Sequence, residues 1–158
     1  MIAAEERRVV TVLFADLVGY TALSERLDPE RVKRLIDASF ERLIADINAF
    51  GGRVDKVLGD GIVALFGAPV AHEDHAQRAC HAALSIQKAL EEYGDKLKND
   101  HGIDFKMRIG LNSGNVVVGS IGDDLRMDYT AIGDTTNLAS RMESMAEPGQ
   151  SLVSRNTY

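Results

Sequence analysis

Two apolar runs, Val54 to Leu58 and Ile62 to Phe66, meet at Gly59-Asp60-Gly61, a corner too short for anything but a tight reversal. A parallel crossover needs a dozen residues or more, so this stretch commits the chain to an antiparallel hairpin and to a sheet that is not all parallel. Charge sits near the tip of that hairpin, with Lys56 on the first run and Asp60 in the corner. Gly-Asp-Gly alone is ordinary turn chemistry. What lifts it above that is a second stretch of the same design: Val9 to Ala15 is almost wholly apolar, delivers Asp16 at its end, and then meets Gly19. Magnesium-like cations bind carboxylate oxygens and leave positions open for phosphates, so the strand-end pair Asp16 and Asp60 is a candidate site for two divalent ions.

With 158 residues and 45% hydrophobic content, the chain reads as one folded domain over 1–158 with a real core. A net charge of -6 and the lack of any basic cluster argue against nucleic-acid binding or adhesion to an anionic membrane. The lone Cys80 can form no internal disulfide and falls in a helical apolar repeat, which suits a small core residue in a reducing compartment. No apolar run approaches the roughly 20 residues of a membrane helix, and Met1 to Arg8 lacks a signal peptide's apolar stretch. The expectation is a cytoplasmic domain, or one on the cytosolic face of a larger protein, without direct membrane insertion.

Taken in order, residues 9–16 form a buried strand, and Thr21 caps a short helix. Asp28-Pro29 opens a longer helix that ends at Gly51-Gly52, with Val32, Ile36, Phe40, Leu43 and Ile47 along one face. After the hairpin comes a helix from about Asp74 to Lys98. Phe105 to Asn112 alternates like a strand, and Ser113-Gly114-Asn115 reads as a turn into Val116 to Gly119, a second hairpin. A helix from Thr135 to Ala146 carries Asn137 and Arg141 four residues apart, and Ser151 to Ser154 begins a last strand. This order predicts an α+β fold, a ferredoxin-like βαββαβ core sandwich with a mostly antiparallel sheet covered by helices.

The turn and helix start from Leu17 to Thr21 offers amides to phosphate oxygens. Lys56 sits among apolar neighbours, so its head leaves the sheet at the edge of a cleft; a solvated lysine is as usual there. Asn137 and Arg141 could meet a sugar and a phosphate. His72 and His75 have metal-like spacing but lack a third soft ligand, and solvation of a helix start explains them better.

Four motifs in order, Phe14 to Thr21, Lys56 to Gly61, Met107 to Gly114 and Ile132 to Met142, resemble the class III adenylate/guanylate cyclase catalytic domain over nearly the whole chain. The resemblance implies an adenylate cyclase that converts ATP to 3′,5′-cyclic AMP and pyrophosphate. Asp16, Asp60 and the carbonyl of Leu17 would hold two Mg2+ or Mn2+ ions, and the amides of Val18, Gly19, Tyr20 and Thr21 would hold the triphosphate. Lys56 would donate to adenine N1, with Thr130 where many relatives carry an aspartate. That threonine resembles the subgroup that includes bicarbonate-responsive adenylyl cyclases, and Lys56 speaks for ATP over GTP. Asn137 would orient the ribose, Arg141 would meet charge developing on the α-phosphate, and Arg108 would touch the outer phosphates.

In the family these sets come from opposite subunits, which implies a head-to-tail homodimer with shared active sites, open to regulatory domains on the same polypeptide. Family domains usually continue beyond the equivalent of Tyr158, so the chain reads as C-terminally shortened. The rival reading is a cyclase-like nucleotide-sensing or dimerisation module without turnover, whose mark would be a missing metal or transition-state residue; Asp16, Asp60, Lys56, Asn137 and Arg141 are all present. A diguanylate cyclase is disfavoured by the absence of its Gly-Gly-Asp/Glu-Glu-Phe tip.

Overall fold

The computed structural model describes residues 5–58, 61–68, 71–102, 104–121, 124–128, 133–155 and 157–158. The elements run β1 (Glu5–Val18), α1 (Tyr20–Arg26), α2 (Pro29–Ala49), β2 (Gly52–Leu58), β3 (Gly61–Phe66), α3 (His75–His101), β4 (Lys106–Ile121), β5 (Asp124–Asp128), α4 (Gly133–Met145) and β6 (Ser151–Val153). The sheet order is β2-β3-β1-β4-β5, antiparallel throughout, with β6 added parallel to β4. The α+β sandwich expected from the sequence is the fold observed.

Alternation along β1 sorts the core into two layers. Leu13, Ala15 and Leu17 join Met107, Ile109 and Leu111 of β4 under Leu43 and Ile47 of α2 and Ile86 of α3. Val10 and Val12 point the other way, into a smaller cluster with Val63, Leu65, Val116 and Ala139 of α4. Helix α2 starts where the sequence placed it, since the Asp28 carboxylate accepts the amide of Arg31 at 2.9 Å and Pro29 occupies the first turn.

Two expectations need correction. Strand β4 does not turn at Ser113-Gly114-Asn115 but runs unbroken from Lys106 to Ile121, paired with β1 along the whole of β1's length. The hairpin partner is β5, with residues 122–123 between. Gly114 is small for another reason: a Cβ there would stand 2.6 Å from the Thr135 hydroxyl oxygen, which instead donates to the Asn115 carbonyl at 2.8 Å. The glycine makes room for the start of α4. Likewise α1 is entered through Gly19, at φ 103, with no side-chain cap from Thr21; a Cβ at Gly19 would collide with the Asp104 carbonyl.

A buried polar seam fixes α4 and the chain end against the sheet. Thr11 Oγ1 meets Ser113 Oγ at 2.7 Å, and Ser113 Oγ meets Thr157 Oγ1 at 3.0 Å. Ser154 donates to Asn112 Oδ1 at 2.6 Å, while Asn112 Nδ2 donates to the Thr135 carbonyl at 2.9 Å. Every group in the seam that loses water gains a partner, so the seam costs little and sets one position for α4.

Candidate active site at one end of the sheet

Asp16 stands near the end of β1, between Gly61 of β3 on one side and Arg108 of β4 on the other. The β2–β3 pair therefore ends, at Leu58 and Gly61, at the same end of the sheet as Asp16. Asp60 itself, like Thr130, lies outside the described residues. By the alternation that points Val10 and Val12 towards α4, Asp16 shares the α4 face of the sheet.

Arg108 lies against Asp16. Its Nε and Nη2 are 3.4 Å from Oδ1 and Oδ2, a side-on fork over both carboxylate oxygens. The same Nε is 3.5 Å from Oε1 of Glu143 on α4. Asp16 and Arg108 keep 28% and 32% of their side-chain exposure, whereas Glu143 keeps 9%. Helix α4 can come this close because position 110 is glycine: a Cβ there would run into the Ala139 carbonyl and the Glu143 amide.

Lys56 reaches the α4 face through an irregularity. Val54 pairs with Ala64, which belongs to the α2/α3 core, yet Lys56 pairs with Val63, which belongs to the α4 cluster. Directly paired residues share a face, so the register shift between Val54 and Lys56 turns the lysine to the side of Asp16. In an even strand, positions 54 and 56 would face the same way.

Leu17, Val18 and Gly19 carry β1 into α1, whose first residues are Tyr20 and Thr21. The Leu17 side chain is buried, which leaves its backbone for any role at the strand end. On α4, Ala139 and Glu143 pack inwards, and Arg141 lies on the exposed side. The Asn137 side chain, one turn earlier in the helix, lies outside what the structure describes. The structure thus gathers Asp16, Arg108 and Lys56 on one face of the sheet, with the Leu17 to Thr21 turn following at the end of β1, while Arg141 lies on the exposed side of α4.

The sequence from residue 2 to residue 158 matches the profile of the adenylate and guanylate cyclase catalytic domain. The chain belongs to that family. Adenylate cyclase 1 of Rhizobium meliloti is 37% identical over 139 residues, covering 88% of this chain and 21% of that protein. The cyclase domain described here thus spans about a fifth of that relative's length. Among solved structures, the guanylyl cyclase Cya2 is 37% identical with a TM-score of 0.82, over 96% of this chain and 77% of that one. The adenylyl cyclase CyaB from P. aeruginosa is 29% identical with a TM-score of 0.87, over 98% and 81%.

Asp16 fits a cation site, because the structure already sets a cationic group on both oxygens of a partly exposed carboxylate. Among the described residues of this cyclase domain, no group of three or more His, Cys, Asp and Glu side chains gathers, at Asp16 or anywhere else. His75 is no helix-start solvation: its Nδ1 is 2.7 Å from the Thr11 hydroxyl, and burial lowers its pKa. Cys80 is partly buried against the core, which pushes its thiol up. Among the described residues no helix is long and apolar enough to cross a membrane. Glu143 escaped the sequence reading, although a signal existed: an acid at the buried spacing Ala139, Glu143, Ala146 requires a cationic partner.

Proposed function

We propose that this cyclase domain converts ATP to 3′,5′-cyclic AMP and pyrophosphate, at sites shared between two copies of the chain. The observation that carries the reading is that Asp16 pairs with Gly61, at the start of β3, and shares its face of the sheet with Lys56.

Asp16, Asp60 and the Leu17 carbonyl would hold two Mg2+ or Mn2+ ions, whose charge makes the ribose 3′-hydroxyl more acidic and neutralises the leaving pyrophosphate. In the reaction the 3′-oxygen forms a bond to the α-phosphorus, the bond to the β-phosphate oxygen breaks, and the 3′-hydroxyl proton is lost. Lys56 donates to adenine N1, and Thr130 faces the exocyclic amino group. The amides of Val18 to Thr21 hold the outer phosphates. Asn137 orients the ribose, and Arg141 directs its fork at the charge that grows on the α-phosphate. The outward side of α4 supports the shared-site reading, since Arg141 turned away from its own Asp16 can serve a second copy. Arg108 reaches the outer phosphates only after leaving Asp16.

The guanylyl cyclase relatives make GTP the competing substrate, and Lys56 favours ATP because its ammonium donates to the N1 acceptor of adenine, where guanine carries a hydrogen. Incubating the purified chain with Mn2+ and either ATP or GTP, then separating the products, tests the reading. Cyclic AMP formed in excess over cyclic GMP is expected. Cyclic GMP in excess would overturn the substrate assignment, and no cyclic product from either would favour a sensing or dimerising module.

A further inference from the structure

Arg108 has one guanidinium and two acidic neighbours, and the way it divides itself between them bears on how Asp16 receives a cation. Nε and Nη2 lie over the two Asp16 oxygens at 3.4 Å, and Nε also lies 3.5 Å from Glu143 Oε1. Tight charge-assisted pairs close to about 2.7–2.9 Å, so the hold on Asp16 is loose, and a third of each side chain remains open to water. Glu143 is nearly buried and sits on a helix whose approach is fixed by backbone contact at Gly110. Glu143 therefore offers a fixed charge 3.5 Å away that can draw the guanidinium, and Asp16 is the partner that can be exchanged.

We propose that Arg108, steered by Glu143, is a displaceable counter-ion of Asp16: it covers the carboxylate until a divalent cation arrives, and Glu143 then retains the guanidinium beside the site. The inference rests on the reading of Asp16 as a metal ligand. Glu143 is a positioning residue that acts through Arg108. An incoming cation has to compete with the fork for the same two oxygens, and the cost of that competition depends on how strongly Glu143 draws the arginine away.

The test is Mn2+ binding without nucleotide, followed by electron paramagnetic resonance of the free ion. Arg108→Gln removes the competitor and is expected to tighten binding about fivefold. Glu143→Gln hands the arginine wholly to Asp16 and is expected to weaken binding about threefold. In the double variant, Glu143→Gln should have no further effect on the Arg108→Gln background, because there is no arginine left to steer. An equal weakening by Glu143→Gln in both backgrounds would mean a plain through-space field and would overturn the proposal. Asp16→Asn separates the two readings. If it binds Mn2+ as the wild type does, the metal assignment of Asp16 fails; if it binds more weakly while Arg108→Gln and Glu143→Gln match the wild type, the metal assignment stands and the counter-ion fails. Should the variants fold poorly, the Arg108 Nε resonance of the wild-type chain gives the same answer: a shift on adding Mg2+ is expected, and an unmoved resonance counts against displacement.

Discussion

Lys56 stands opposite Val63, whereas Val54 stands opposite Ala64, so the single intervening residue Asp55 is extruded from the ladder between them. The first prediction follows from that arithmetic. Removing Asp55 restores regular pairing without changing which rung Lys56 occupies, so the deletion should keep the KM for ATP within about threefold. Lys56→Gln, which keeps the rung and loses the ammonium donor, should raise KM about threefold to tenfold. Steady-state kinetics on the two variants checks this, and a deletion as damaging as the substitution would show that the local twist, not the rung, aims the lysine.

Arg141 and Asp16 should complement each other between chains. Asp16→Ala and Arg141→Ala homodimers are each expected to be inactive, while an equal mixture forms heterodimers with one intact site and regains about a quarter of wild-type activity. Arg141→Ala alone should lower kcat far more than it raises KM, because it acts on charge present in the transition state, at a cost of about 3 kcal/mol. Mixing after subunit exchange, with heterodimers shown to form, is the measurement; a mixture as dead as its parents would rule out shared sites.

Gly110→Ala should be costly although it adds one methyl group. The new Cβ meets the Ala139 carbonyl and the Glu143 amide, both backbone, so neither can swing aside. Overpacking of this kind costs about 1–3 kcal/mol, or about 3–10 °C in Tm for a domain of this size. A thermal melt decides it, and an unchanged Tm would show that α4 shifts freely over β4.

His75 gives the chain a mild acid sensitivity. Burial lowers its pKa below the ordinary 6.5, against an opposing pull from Asp74. A base whose folded pKa is depressed contributes stability that is present above 6.5 and lost as the pH falls through the folded value. Tm should therefore drop more steeply for the wild type than for His75→Gln between about pH 7.5 and about pH 5.5. Parallel slopes would mean that His75 does not carry the effect.

The features legible in the sequence were those whose causes are local. Asp28-Pro29 and Gly51-Gly52 bracket α2 by capping and backbone chemistry, and the Gly59-Asp60-Gly61 corner dictates its hairpin. Ser113-Gly114-Asn115 misled because the same small residues that make turns also make room, and here Gly114 yields to Thr135, a residue that folds back from later in the chain. Glu143 was hidden for a related reason. Its partner Arg108 lies on another element, and a helix pattern cannot announce which strand it will meet.

The Glu143 to Arg108 to Asp16 contact joins α4 to β1 within one chain, yet in a shared-site dimer α4 would work on the nucleotide held by the other chain. Loading a cation at one Asp16 would then alter the tether on the helix that serves the opposite nucleotide. The two sites would be mechanically coupled rather than merely duplicated, and activation by Mn2+ would rise with a Hill coefficient above one that Glu143→Gln returns towards unity.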